Sequence, residues 1–407
     1  MKRILFILVF SGFLGSLSAQ SDTLAMQCLR EMGAPVTDNN KVKLLLTGHD
    51  KFVDLFEAIR QARHHIHLEY FNFRNDSIAN ALFDLLAEKA AEGVEVRAMF
   101  DAFGNWSNNQ PLKNCHIDSI RSRGIDLVKF DPITFPYVNH ALHRDHRKIV
   151  VIDGRIGYTG GMNIADYYIN GLPKIGQWRD IHVRIEGDAA RYLQGIFLTM
   201  WNRETGQHIG GPEYFPDIPQ WPDSVAQRIA IVDRTPKETP RSISHAYAAC
   251  LNSAEGHVQI VNPYFVPTKS IRKAIKEALR LGKQVEIMIP AVSDISFTPD
   301  AALYVAHKLA KKGAKIYLYN GGFHHSKVVM VDGKFCTVGT ANLNSRSLRY
   351  DYETNAFIFA PRTTQELNAM FERDKRNSTL LTPEYWKKRS AWKKFVGWFG
   401  NLLTPFL

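Results

Sequence analysis

HRKIVVIDGRIGYTGGMN, residues 146–163, and HSKVVMVDGKFCTVGTAN, residues 325–342, are two copies of one pattern: HxKxxxxD, a glycine-bearing turn and an asparagine. They lie 325 − 146 = 179 positions apart. Gly160 and Gly339 each follow the motif aspartates, Asp153 and Asp332, by seven positions, and Asn163 and Asn342 follow those glycines by three. Each copy opens with a Val- and Ile-rich run closed by Asp-Gly, which reads as a strand ending in a tight turn. Alternate side chains of a strand share a face, so His146 stands with Lys148, and His325 with Lys327, roughly 6–7 Å apart. Asp153 and Asp332, an odd number of positions from the lysines, face the other way and serve structure. The two histidines, two lysines and two asparagines are candidates for the lining of one pocket.

The repetition extends outward from the motifs. Strand-like runs at residues 42–46, 65–71, 93–101 and 124–130, with helical patterns at 52–62 and up to about Glu92, precede the first motif. The same order recurs as runs at 228–232, 257–265, 283–290 and 314–319, with helical patterns at 243–251 and up to Leu281. Strands alternating with helices predict an α/β fold of two similar halves, each a parallel-rich sheet flanked by helices. Gly210, Gly211 and the prolines at 212, 216, 219 and 222 form a breaker-rich linker. The chain therefore divides into a leader at 1–19, a first half at 20–204, a linker at 205–224, a second half at 225–375 and a tail at 376–407.

Such a pocket suits a phosphodiester. Imidazole titrates near neutrality, so one histidine can attack phosphorus while the other protonates the departing alkoxide. Lysine ammonium and asparagine amide groups stabilise charge on the non-bridging oxygens. A carboxylate should orient each ring through its other nitrogen, and Asp180 and Glu353 are placed downstream of the motifs for that purpose. This chemistry calls for no metal and no cofactor. The four cysteines, Cys28, Cys115, Cys250 and Cys336, are scattered without metal-ligand spacing. A formal net charge of +11 favours anionic partners, acidic lipid or nucleic acid, without choosing between them.

The paired motifs resemble the phospholipase D superfamily, and the flanking segments resemble its bacterial cardiolipin synthase branch. Those segments are IHLEYFNFRND (66–76), WRDIHVRIEG (178–187), VNPYFVPTKS (261–270), GFHHSKVVMVDGKFCTVGTANLNSRS (322–347) and NLLTPFL (401–407). The resemblance implies two phospholipase D-like halves related by a pseudo-two-fold with the site at their interface. It implies a nucleophile at His146, an acid at His325, phosphate contacts from Lys148, Lys327, Asn163 and Asn342, and ring-orienting carboxylates at Asp180 and Glu353. Asp153 and Asp332 enter the functional set as members of the motif. The implied activity is transfer of a phosphatidyl group between two phosphatidylglycerol molecules through a covalent phosphohistidine, giving cardiolipin and glycerol. Hydrolytic phospholipase D and an exported phosphodiesterase or nuclease are the alternatives. The expected partners are anionic phospholipid and a membrane surface, with no nucleic acid and no obligate protein partner.

Two terminal stretches bear on location. Lys2 and Arg3, an apolar run from Ile4 to Leu14 and small residues through Ala19 read as a secretory signal, or as an uncleaved anchor, since Leu17 is bulky for the cleavage context. Either places the catalytic body outside the cytoplasm, at the periplasmic face of the cytoplasmic membrane. In the tail, Trp392, Phe395, Val396, Phe399, Leu402 and Leu403 recur at helical spacing beside Lys387, Lys388, Arg389, Lys393 and Lys394. That pattern fits a helix lying in a membrane interface or one docking its apolar stripe onto the domain. Tyr70, Phe71, Phe73, Tyr264 and Phe265, just past equivalent strands, are core aromatics by default or the border of a lipid entrance. His140, His143 and His324 lack matched partners and read as pocket wall or surface.

Overall fold

The computed structural model describes residues 24–135, 142–295 and 298–402. The leader expected at 1–19, His140 and the last five residues of the tail lie outside the described residues. No described helix is long and apolar enough to cross a membrane.

The first sheet has seven strands in the order Asn40–Leu45, His182–Gly187, Ile156–Gly160, Lys148–Ile152, His65–Tyr70, Glu95–Asp101 and Asp126–Phe130. The second repeats that order with Arg228–Arg234, Glu353–Phe359, Phe335–Gly339, Val328–Val331, His257–Val261, Gln284–Pro290 and Lys315–Tyr319, and adds Val36–Thr37 and Ser378–Leu380 at its edges. The parallel-rich expectation needs correcting in detail. Only His65–Tyr70, Glu95–Asp101 and Asp126–Phe130, with their counterparts in the second sheet, run parallel to one another, and every other pairing in the two sheets is antiparallel. Parallel strands need a crossover, and the helices Ser77–Ala91 and Asn114–Arg121 supply it in the first half. After each motif strand the chain instead turns back at once. Asp153-Gly154 and Asp332-Gly333 all have positive φ, 52° and 64° then 53° and 66°, the backbone of a tight hairpin turn that Asp-Gly favours.

Those turns also give the motif aspartates their contacts. Asp153 accepts backbone N–H groups of Arg63 (2.9 Å), His64 (2.8 Å) and His65 (3.0 Å). Asp332 accepts those of Glu255 (2.7 Å), Gly256 (2.8 Å) and His257 (2.7 Å). Each carboxylate thus ties the entry of the neighbouring parallel strand to the hairpin.

Helices Gly48–Arg60 and Ser77–Ala91 cover the outer face of the first sheet, packing Phe52, Leu55 and Leu86 on Ile66, Leu68 and Val96. The first is capped by Thr47, whose hydroxyl accepts the Asp50 N–H at 3.1 Å. Helices Ser242–Ser253, Lys269–Arg280 and Thr298–Ala310 cover the outer face of the second. Between the sheets lie helices Asp188–Thr205 and Pro361–Arg376. Leu193 of one and Leu367, Met370 and Phe371 of the other share a core with Ile149 and Val183 of the first sheet and Ile229, Met330 and Ala356 of the second. The inner faces are thereby fused into one apolar layer, which fixes how the halves face each other.

The ends of the chain cross the expected boundaries. Ala25, Met26, Leu29 and Ala34, assigned by sequence to the first half, pack in the core of the second, and Val36–Thr37 pairs with its strand Arg228–Arg234. Likewise Ser378–Leu380, expected in the tail, completes the edge of the second sheet beside Lys315–Tyr319. All four cysteines are free thiols.

Because each motif aspartate satisfies three backbone donors, Asp153→Ala and Asp332→Ala should each lower unfolding free energy by about 1.5–3 kcal/mol. Urea unfolding checks this, and a change below about 0.5 kcal/mol in both variants would contradict it.

Candidate functional site

The two motif histidines are each held by a carboxylate from the opposite half. His146 Nδ1 lies 3.0 and 3.1 Å from the oxygens of Glu353, which begins a strand of the second sheet. His325 Nδ1 lies 2.6 Å from Asp180, which precedes a strand of the first. Short pairings between the halves produce this exchange. The His146 N–H donates to Tyr352 carbonyl at 3.0 Å and the His325 N–H to Arg179 carbonyl at 2.6 Å. Phe323-His324 pairs in parallel with Trp178-Arg179, and Asp145 bridges to Tyr352. The backbone one residue before each carboxylate is therefore fastened to the histidine that the carboxylate serves.

Electrostatics follow from burial. Burial, only partly offset by Glu353, brings the His146 imidazole down to about 4, and burial with neighbouring Lys327 lowers His325 as well. With Nδ1–H donated to Glu353, neutral His146 presents an unshared pair on Nε2. Burial alone would raise the carboxyls, but Lys327 and His325 hold Asp180, and His146 and Lys148 hold Glu353, below the usual range. Burial also lowers Lys148 to about 8 and Lys327 to about 7. Lys148 Nζ donates to its own histidine's carbonyl at 2.8 Å, and Lys327 Nζ sits 2.9 and 3.0 Å from the His325 ring nitrogens. Lys327 weighs on the titration of His146 and Lys148 on that of Lys327, so both motifs share one electrostatic site.

The asparagines stand open. Asn163 and Asn342 are 7% and 4% exposed, and the side-chain oxygen of each has no hydrogen-bond partner. A buried amide oxygen without a protein partner is an acceptor left for a donor on a ligand. A cavity of about 310 Å³ opens on His146 and Asn342, walled by Phe71, Phe103, Tyr264, Val266, Ile295 and Ala301. Of the five aromatics flagged in sequence, Phe71 and Tyr264 line this cavity, while Tyr70, Phe73 and Phe265 are buried core. Asp153 and Asp332 do not join the cluster, being committed to the strand-entry contacts given above. His143 is taken up by the Tyr350 carbonyl at 2.9 Å and His324 by Asp374 at 3.1 Å.

Sequence reasoning missed the groups that hold the two asparagine turns, and these differ between halves. In the first, Lys51 Nζ donates to the carbonyls of Met162 (3.1 Å) and Asn163 (2.9 Å), and the Met162 N–H reaches His182 Nδ1 at 3.3 Å. In the second, Tyr247 hydroxyl donates to the Ala341 carbonyl at 3.2 Å and the Ala341 N–H reaches Asn355 at 3.2 Å. Lys51 was findable: it falls on the buried face of its helix with Phe52, Leu55 and Ile59. Burial lowers its ammonium well below the ordinary lysine range. The position before each asparagine turn differs too. A Cβ on Gly161 would lie 2.1 Å from an Asp180 oxygen, whereas the hydroxyl of Thr340, its counterpart, donates to Glu353.

Over residues 55–201 and 247–375 the chain matches the family described as "Cardiolipin synthase, PLD-like domain". It is 38% identical over 378 residues to the cardiolipin synthase of Listeria monocytogenes serotype 4b (strain CLIP80459), covering 92% of this chain and 77% of that one. It is 36% identical over 376 residues to the cardiolipin synthase of Geobacillus sp. (strain WCH70), covering 92% and 74%. Among solved structures it resembles phosphatidylserine synthase of Haemophilus influenzae Rd KW20, with a TM-score of 0.67 at 16% identity over 94% of this chain and all (100%) of that one. Polyphosphate kinase of Porphyromonas gingivalis aligns with a TM-score of 0.55 at 12% identity, over 84% of this chain and 49% of that one. Both structural likenesses speak to the fold.

In protein labelled at histidine, the His146 ring should stay neutral until about pH 4. Since the Glu353 carboxylate raises that value, Glu353→Gln should lower the midpoint further. Nuclear magnetic resonance titration reads both, and a His146 midpoint near that of a free imidazole would refute the burial argument.

Proposed function

The chain belongs to the cardiolipin synthase, PLD-like domain family, and from that premise we propose that it is a phosphatidyltransferase joining two phosphatidylglycerol molecules into cardiolipin and glycerol. The observation that carries the proposal is a pair of carboxylate-held histidines, His146 on Glu353 and His325 on Asp180, whose motif lysines share one electrostatic site, with His146 and Asn342 lining a largely apolar-walled cavity. Nucleic acid would call for a basic groove leading to the reacting groups, and the largely apolar wall of the cavity at His146 and Asn342 favours acyl chains instead.

Neutral His146 attacks the phosphorus of the first phosphatidylglycerol through Nε2. The bond from phosphorus to the headgroup glycerol breaks, and His325 in its protonated form delivers the proton to the departing oxygen. Lys148, Lys327 and the asparagine amides take the charge on the non-bridging oxygens. Glu353 and Asp180 orient the rings and support the imidazolium form as it appears. In the second half-reaction the terminal hydroxyl of another phosphatidylglycerol surrenders its proton to His325 and attacks phosphorus. The phosphorus–nitrogen bond breaks, cardiolipin leaves and the enzyme is restored. Water in place of the second alcohol gives the hydrolytic product from the same intermediate. The partner is an anionic membrane surface, and residues 1–19, read as a secretory signal or an uncleaved anchor, support a location on its outer side.

With phosphatidylglycerol vesicles, purified protein should release glycerol and form a four-chain lipid, with EDTA having no effect. His146→Ala and His325→Ala should each reduce turnover by more than about 10³-fold. Lipid product analysis beside a plasmid-cleavage control decides among transferase, hydrolase and nuclease. Persistent turnover in either variant removes the assigned roles.

The lysines set the alkaline limb. Raising pH through about 7 and then about 8 neutralises Lys327 and Lys148 in the empty site, so kcat/KM should fall across that range. Bound phosphate favours the ammonium forms, so the limb in kcat should lie at higher pH. Flat kcat/KM between pH 6 and 9 would contradict this assignment.

A further inference from the structure

The C-terminal helix Ala391–Leu402 is docked the opposite way from the usual amphipathic helix. Its contact face is built on glycine. Gly397 and Gly400 are buried, and a Cβ on Gly397 would lie 2.5 Å from the Asp300 carbonyl, one on Gly400 2.9 Å from Ala301 Cβ. Arg389 is paired with Asp300, and Asn401 accepts from Arg272 at 3.0 Å. At about 100° per residue the apolar side chains fall on the other side, and there Trp392 is 70% exposed, Phe395 49%, Trp398 43%, Phe399 49% and Leu402 52%. Their rings pack on one another, Phe395 lying 5.7 Å from both Trp392 and Trp398, so they form one ridge. Contiguous exposed apolar surface of this kind marks an interaction site.

Charge identifies the partner. From Lys387 to Leu402 the sequence holds five basic residues and no acidic one. The adjoining helix Lys269–Arg280, joined to the ridge helix through Arg272, lines a groove with Lys269, Arg272, Lys273, Lys276 and Arg280, together with Lys312. Glu277 is the one acid lining that groove. Aromatic and aliphatic side chains beside dense cationic charge match an anionic bilayer, whose headgroups meet the ammonium groups while the rings enter the acyl boundary. The ridge is also next to the chemistry: Ala301, which Gly400 rests on, lines the cavity that holds His146 and Asn342.

We propose that helix Ala391–Leu402 and the basic groove beside it form a docking face for an anionic lipid bilayer, seating the cavity mouth at the lipid surface so that phosphatidylglycerol passes from the leaflet into the site. This rests on the transferase reading for its consequence, but not for the binding itself. The glycine face serves the arrangement: small residues let the helix backbone lie close on Thr298–Ala310 and leave every large apolar side chain for the membrane.

The full chain is mixed with vesicles of brominated phosphatidylglycerol and phosphatidylcholine, and tryptophan fluorescence is compared with that of Trp392→Phe/Trp398→Phe. Quenching that the double variant loses, and that falls when phosphatidylglycerol is omitted or salt is raised, is the expected result. Lys273→Glu/Lys276→Glu should weaken vesicle binding at least tenfold. Phe395→Ser/Phe399→Ser/Leu402→Ser should lower turnover on vesicles at least tenfold while leaving turnover of a short-chain, monomerically dissolved phosphatidylglycerol unchanged. Equal quenching in wild type and double variant overturns the proposal. So does a dimer that dissociates on dilution and is lost in the serine variant, which would make a second copy the occupant. Wild type inactive on the dissolved substrate and on vesicles overturns the transferase reading instead, and quenching still decides the docking face.

Discussion

Each motif histidine ring depends on a carboxylate that its own half does not possess. Glu353 reaches His146 and Asp180 reaches His325 across the interface, so neither half alone holds an oriented histidine. The apolar layer between the sheets exists in service of that exchange. Helices Asp188–Thr205 and Pro361–Arg376 and the inner faces of both sheets interlock, and a packed core resists the small displacements that would break a hydrogen bond of 2.6 to 3.1 Å. The backbone pairings of Tyr352 with His146 and of Arg179 with His325 set the register to a single residue.

Within that frame, desolvation does the electrostatic tuning. Four cationic or potentially cationic side chains converge beside the buried carboxylates Asp180 and Glu353, with Asp145 and Asp351 also weighing on Lys148, and removal from water disfavours every charge. The balance is neutral imidazoles and lysines lowered toward neutrality, with the asparagine oxygens unpartnered. An anionic phosphodiester supplies what this cluster lacks. It brings negative charge for the lysines, and it shifts the site toward its protonated forms.

The pseudo-two-fold is broken where it bears on chemistry. A lysine and a histidine hold the Asn163 turn, while a tyrosine and an asparagine hold the Asn342 turn. Gly161 yields space to Asp180, and Thr340 donates to Glu353. The two motif histidines sit in surroundings that are matched in backbone and different in charge, which is what the proposed division into base and acid requires.

Local chemistry was legible in the chain itself. Strand parity put each histidine with its lysine and turned Asp153 and Asp332 away, because side-chain direction along a strand depends only on residue count. Asp-Gly announced the tight turns that end the motif strands, and the offset of 179 residues announced two like halves. What the sequence could not decide were relations through space. The antiparallel return of the motif strands, the transfer of residues 24–37 to the far sheet, Lys51 beneath Asn163 and the glycine-faced docking of the last helix all depend on which surfaces meet. The same aromatic periodicity in 392–402 serves a helix that buries its stripe and one that displays it. Only the fit of Gly397 and Gly400 against Asp300 and Ala301, a contact between segments roughly a hundred residues apart, selects the second.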